Sequence, residues 1–147
     1  MAHDAILEKL RRDFDADEYR AVRDLWKRHS IAEDERDIDG LMSTLTDDCV
    51  YEMVETGERW EGKEGATRFY LELLGAYPDI VFELTDIVIG PQGVFEVADV
   101  HGTFQGPWLG QEPTGERVEF GVMIFFPWDP DARLFTGEKI WVRGLDD

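Results

Sequence analysis

Apolar and polar positions alternate in two different ways along this chain, and the changeover divides it in half. In the first part the spacing is helical. Ile6, Leu7, Leu10 and Phe14 recur three and four apart, which predicts a short amphipathic helix over 4–14. Asp15-Ala16-Asp17 supplies a break and a cap, and a longer helix follows with Tyr19, Val22, Leu25, Trp26, His29 and Ala32 along one stripe. A short helix runs from Asp37-Ile38-Asp39 through Leu41, Met42 and Leu45, ending near Asp47-Asp48. Cys49 to Glu55 reads as a strand and Gly57 to Gly62 as a loop. Lys63 to Ala76 reads as a third main helix, stopped by Pro78.

From Ile80 onward the pattern is that of strands. Four runs are predicted, at 80–89, 94–105, 117–126 and 133–142. Gly90-Pro91-Gln92-Gly93, the Gly/Pro-rich segment 106–115 and the turn from Pro127 to Ala132 separate them. Helices with one early strand, then consecutive long strands, predict an α+β domain with a mostly antiparallel sheet. A twisted sheet of this kind curls, and the helices are what it curls around. The expected shape is a cone with a cavity at its wide end.

Period-two alternation sorts each strand into faces. Phe95, Val97, Asp99, His101 and Thr103 share one; Val94, Glu96, Ala98, Val100 and Phe104 share the other. Val118, Phe120, Val122, Ile124 and Phe126 make a wholly apolar face, opposed by Glu119, Gly121, Met123 and Phe125. In the last strand Leu134, Thr136, Glu138, Ile140 and Val142 oppose Phe135, Lys139, Trp141 and Arg143. Both sheet faces are substantially apolar. One should meet the helices and the other a second copy of the chain, giving a homodimer through the sheet.

The chain has 147 residues, enough for one domain, 1–147, with 1–16 as an N-terminal helical extension. Lys plus Arg is 15 against 33 Asp plus Glu, a net charge of −18, which argues against nucleic acid or an anionic membrane as partner. Cys49 is the only cysteine, so no intrachain disulfide forms, and the expected location is the cytoplasm. There is no signal-peptide pattern and no apolar run of membrane-spanning length. Dinucleotide, P-loop and HExxH motifs are absent, and no cofactor or metal is expected.

The candidate chemistry is acid–base. Asp99 and His101 lie two apart on one strand face, where a carboxylate can orient an imidazole. Glu138 lies among Leu134, Ile140 and Val142, and a carboxylate there is either paired, for instance with Lys139 or Arg117, or made more basic. Asp34 is a helix-side acid with Glu33, Glu35 and Asp37 around it, while His29 reads as a hydrogen-bonded core residue. Tyr51, Trp60, Tyr70, Phe104, Trp108, Met123 and Trp141 are the candidate walls of an apolar pocket for a small apolar molecule.

Several segments resemble the SnoaL-like polyketide cyclase branch of the nuclear transport factor 2-like superfamily. Arg36-Asp37-Ile38-Asp39-Gly40-Leu41, followed by Leu45-Thr46-Asp47-Asp48-Cys49-Val50, is similar to that family's short helix, acidic turn and first strand. Trp60-Glu61-Gly62-Lys63-Glu64-Gly65 resembles its entry to the next helix. The segment from Gly102 to Gly115, GTFQGPWLGQEPTG, resembles its G-T-H-x-G-x-x-x-G-x-x-P-T-G loop, with Phe104 in place of the His. Gly137-Glu138-Lys139-Ile140-Trp141 resembles its last strand, which here ends Trp141-Val142-Arg143 rather than aromatic-x-Asp, and Met123 falls near a strand His of the cyclases. The resemblance implies a cone-shaped fold and cofactor-independent isomerase, cyclase or dehydratase chemistry on an apolar carbonyl compound, with Glu138, His101, Asp99 and Asp34 as proton carriers. The alternative on the same scaffold is a non-catalytic module that binds a small ligand or another protein.

Overall fold

The computed structural model describes residues 3–144; residues 1–2 of the expected extension and 145–147 lie outside the described residues. The helices are α1 (Asp4–Arg11), α2 (Ala16–Asp34), α3 (Ile38–Met42) and α4 (Gly62–Ala76). The strands are β1 (Leu45–Met53), β2 (Glu58–Glu61), β3 (Val81–Gly90), β4 (Gly93–Thr103), β5 (Arg117–Asp129) and β6 (Leu134–Arg143). They form one open six-stranded sheet in the order β2-β1-β6-β5-β4-β3, antiparallel except where β1 runs parallel to β6. The α+β cone read from the sequence is the observed architecture. Among the described residues no helix is long and apolar enough to cross a membrane.

Local chemistry sets the helix ends. The Asp15 side chain accepts from the Glu18 amide at 2.8 Å and starts α2, and Asp37 does the same for α3 through the Gly40 amide. At the far end of α2, Arg36 adopts a positive φ of 57° and its guanidinium donates to the carbonyl oxygens of Asp34, Pro78 and Ile80. The helix is thereby pinned to the start of β3. At its near end, Glu18 accepts from Arg12 at 2.6 Å and from the Trp128 indole at 2.7 Å.

Three expectations need correction. The short helix read as running through Leu45 to Asp47-Asp48 stops at Met42, and β1 already begins at Leu45 rather than Cys49. The segment 57–62 is not all loop: Glu58–Glu61 pairs antiparallel with β1 as a short hairpin, turned by Gly57 at φ 77°. The faces of β6 do not alternate without interruption either. Phe135 and Glu138, an odd number of residues apart, are both buried. Gly137 between them has φ 129°, and a Cβ there would sit 1.8 Å from the Val50 carbonyl oxygen. Its irregular backbone swaps the parity of the strand. Leu134 and Thr136 therefore do not share the face of Glu138.

The inner face packs on α2 and α4 around Leu25, Leu45, Phe69, Val94, Val100, Phe126 and Phe135. The outer face is partly apolar, and the edge strand β3 exposes Val81, Leu84, Ile87 and Val88.

Candidate functional site

The centre of the cone holds a carboxylate that the fold has shut away from water. Glu138, on β6 just after the Gly137 irregularity, is 3% exposed, and His29, on the inner stripe of α2, is 2% exposed. His29 Nε2 lies 3.1 Å from Glu138 Oε2. Tyr70 of α4 donates to the same oxygen at 2.8 Å, and the Tyr51 hydroxyl of β1 meets that of Tyr70 at 2.7 Å. Aromatic edges enclose the group, with Phe126 5.2 Å from the His29 ring centre.

Counting hydrogens fixes most of this network. The single hydroxyl hydrogen of Thr44 goes to the Leu41 carbonyl at 2.7 Å, so at the 3.0 Å contact with His29 it is Nδ1–H that donates. Tyr70 gives its hydrogen to Glu138, so Tyr51 donates to Tyr70. Two contacts remain at Nε2, to Glu138 Oε2 and to the Tyr70 oxygen, each 3.1 Å, and both are favourable only with a proton on the Nε2 side. His29 and Glu138 thus hold one proton jointly, oriented on the imidazole side by Thr44 and on the carboxylate side by Tyr70. Burial first, and the Glu138 charge second, push both tyrosine hydroxyls well above their usual range, so they act as donors.

Two further acids belong to this interior. Glu33 lies half-buried one helical turn beyond His29 on α2, and Glu96 is 9% exposed on the inner face of β4. Burial, then repulsion from Glu138, Glu96 and Asp34, raises the Glu33 carboxyl well above the ordinary carboxylate range; Arg36 opposes the shift. Burial and Glu138 push Glu96 up to about 8. The Trp26 indole N–H pulls Glu96 slightly the other way, although it reaches no partner at hydrogen-bonding geometry. Glu33 and Glu138 both line a narrow cavity of about 30 Å³, otherwise walled by apolar side chains such as Phe69, Phe82, Trp108, Phe120 and Ile140. Met53, Trp108 and Val142 border both this cavity and a second depression of about 250 Å³ beside the loop carrying Leu109 and Gln111.

The structure separates the residues singled out from the sequence. Of the four acid–base candidates, only Glu138 faces the cavity, paired with His29 and Tyr70 rather than with Lys139 or Arg117. Asp34 is exposed; its neighbour Glu33 takes the inward position because an inward stripe three and four apart from Trp26 and His29 reaches 33. Asp99 and His101 stand on the outer face of β4, where His101 contacts Glu83 at 3.1 Å and Arg117 at 2.7 Å. They do not share a site with Glu138. Tyr51 and Tyr70 lie behind the carboxylate, Trp108 forms a cavity wall, and Trp60 stacks on Trp108 at 6.4 Å. Phe104 packs on Tyr77 at 5.4 Å, away from the cavity lining. Met123 and Trp141 pair across β5 and β6 on the outer face, and Met123 is 41% exposed. His29 as a hydrogen-bonded interior residue was legible as such, but its carboxylate partner was not. Among the described residues no group of three or more His, Cys, Asp or Glu is arranged to hold a metal ion.

This geometry can be set beside known proteins. The model of the SnoaL-like domain family matches residues 26–135, which includes α4 and all of β1 to β5. The chain belongs to the SnoaL-like domain family. Among solved structures, a proposed SnoaL-like polyketide cyclase from Jannaschia sp. CCS1 superposes with a TM-score of 0.73 at 19% identity, covering 89% of this chain and 90% of that one. AclR, a proposed hydroxylase from Streptomyces galilaeus, superposes at 0.68 with 18% identity, covering 85% and 76%. A proposed ketosteroid isomerase from Kribbella flavida superposes at 0.63 with 18% identity, covering 88% and 82%. At these identities the likeness is one of fold. No curated protein matches the chain. The solved structures that share this fold thus include proposed polyketide cyclases and a proposed ketosteroid isomerase.

Proposed function

We propose that this SnoaL-like protein moves a proton at the carbon next to a carbonyl group in a small apolar molecule, as an isomerase, cyclase or dehydratase does. The observation that carries the reading is the Glu138–His29–Tyr70 cluster, a carboxylate and an imidazole sharing a proton at the wall of an apolar cavity. Glu138 is the base. Its contacts with His29 and Tyr70 both fall on Oε2, and the Tyr51 hydroxyl acts on the same carboxylate. No cofactor enters this reading, because a positioned carboxylate carries the proton itself. The cavity's 30 Å³ holds about two waters, so admission of a substrate requires it to widen, with Trp108 and its loop swinging toward the adjoining depression.

The test is the conversion of a non-conjugated cyclic enone to its conjugated isomer, followed by ultraviolet absorbance. A general base is worth about 10²–10⁴-fold, so Glu138→Gln is expected to lose that much turnover. Unchanged turnover in the variant contradicts the assignment. The tightness of the cavity favours a second reading, a non-catalytic ligand carrier on the same fold; a bound enone that never isomerises supports it.

The same reading takes the protein as cytoplasmic, in keeping with its one buried cysteine. It also takes the outer sheet face as a homodimer contact, since Met123 and Trp141 there adjoin Arg117, Arg143, Glu83 and Glu119, charges of both signs that can pair across a two-fold axis.

A further inference from the structure

We infer that Glu33 is a second catalytic group of this site, the hydrogen-bond donor to the substrate's carbonyl oxygen, and that the site accepts uncharged carbonyl and phenolic compounds while rejecting anions. The inference rests on the proton-transfer reading above and adds to it the group that receives the negative charge.

Three observations carry it. Glu33 and Glu138 line one cavity, from α2 and β6 respectively. Glu138 is engaged by His29 and Tyr70, whereas the Glu33 carboxyl makes no hydrogen bond or ion pair with any described residue. Arg36, the cation that acts on it, spends its guanidinium on the backbone carbonyls of Asp34, Pro78 and Ile80. A half-buried carboxyl that has no partner, lines an apolar cavity and lies close to other acids is pushed toward its protonated form and becomes a donor. The groups acting on it come from every side: Glu138 of β6, Glu96 of β4, Asp34 and Arg36 at the end of α2, Tyr51 of β1 and Tyr70 of α4. All except Arg36 are acids or phenols. No lysine or arginine lines the cavity, so an anionic ligand meets no compensating charge.

The step balances without a further reactant. The C–H bond beside the carbonyl breaks and its proton goes to Glu138. The bonding pair forms the C=C bond of an enolate whose oxygen is held by the Glu33 O–H. Return of the proton to another carbon completes an isomerisation and restores both carboxyl groups.

A planar phenol imitates that enol and serves as the probe. We expect calorimetric titration of the full chain to show 2-naphthol binding and 2-naphthoate binding at least about tenfold more weakly. Glu33→Leu should weaken 2-naphthol about 5–10-fold, the worth of one hydrogen bond. Glu33→Gln, whose amide N–H also donates, should retain most of the affinity. The native affinity should decline with rising pH as Glu33 gives up its proton, and that component should be missing from the Gln variant. Thermal melting confirms that each variant is folded. Equal 2-naphthol affinity in the Leu variant, a preference for 2-naphthoate, or no uptake of 2-naphthol by the native protein overturns the inference. Failure of the base assignment is separable: an active Glu138→Gln enzyme with normal phenol binding removes Glu138 and leaves Glu33 in place.

Discussion

Glu138 can remain at 3% exposure among aromatic rings because each neighbour offsets part of the cost of desolvating it. His29 shares its proton and Tyr70 donates to it, and losing either leaves a buried charge short of partners. Tyr70→Phe should therefore destabilise the protein by about 1–3 kcal/mol in urea titrations, even though it removes only one oxygen. An effect within error would mean that water replaces the hydroxyl. His29→Leu should be worse, by about 3–5 kcal/mol, because it strips the carboxylate of its ionisable partner. Glu138 was recognisable in the sequence as a carboxylate on an apolar strand face. Its partner was not, because a histidine on a helical stripe gives no sign of which strand it will meet.

At the scale of elements, α1, α2, α4, the four long strands and their turns follow from periodicity, caps and Gly/Pro positions, whereas the short α3 gives way to β1 earlier than its pattern suggests. What the pattern could not convey were the places where backbone geometry breaks the period. On α2 the inward stripe passes through Glu33, and the exposed Asp34 is one residue, or about 100°, out of phase. Glu33 was detectable in principle, as the position four beyond His29. On β6, Gly137 lets Phe135 and Glu138 both face inward. A methyl group at 137 would collide with the Val50 carbonyl at 1.8 Å, so Gly137→Ala should cost about 2–4 kcal/mol and impair the site by displacing Glu138. Tm and turnover measured on the same variant check both. On β4 the alternation put Asp99 and His101 together on one face correctly, but which face looked inward depended on where the helices packed.

For the molecule as a whole, the buried acids couple stability to pH. Glu96 takes up its proton at about 8 when folded and near the ordinary 4.5 when unfolded, and Glu33 shifts in the same direction. Between those values the folded state binds more protons, so stability is greatest on the acid side and falls as pH rises toward 8. The slope from each group is at most about 1.4 kcal/mol per pH unit. Self-repulsion of a chain with net charge −18 acts in the same sense. Glu96→Gln should flatten the dependence of Tm on pH over this range, and an unaltered slope would show that Glu96 is not the group responsible. Light scattering addresses the dimer: a mass of twice the 17.0 kDa chain is expected, and Met123→Glu should reduce it to one chain.

The central claim is that the shared proton of Glu138 and His29 can be exchanged with a carbon acid held in the cavity. Its most direct test is the NMR-monitored uptake of deuterium from heavy water at the carbon beside the carbonyl of a cyclic ketone, with native protein and Glu138→Gln compared side by side. The account predicts uptake well above the protein-free rate for the native chain and a loss of about 10²–10⁴-fold in the variant. Native protein that binds the ketone yet exchanges no faster than buffer would contradict it.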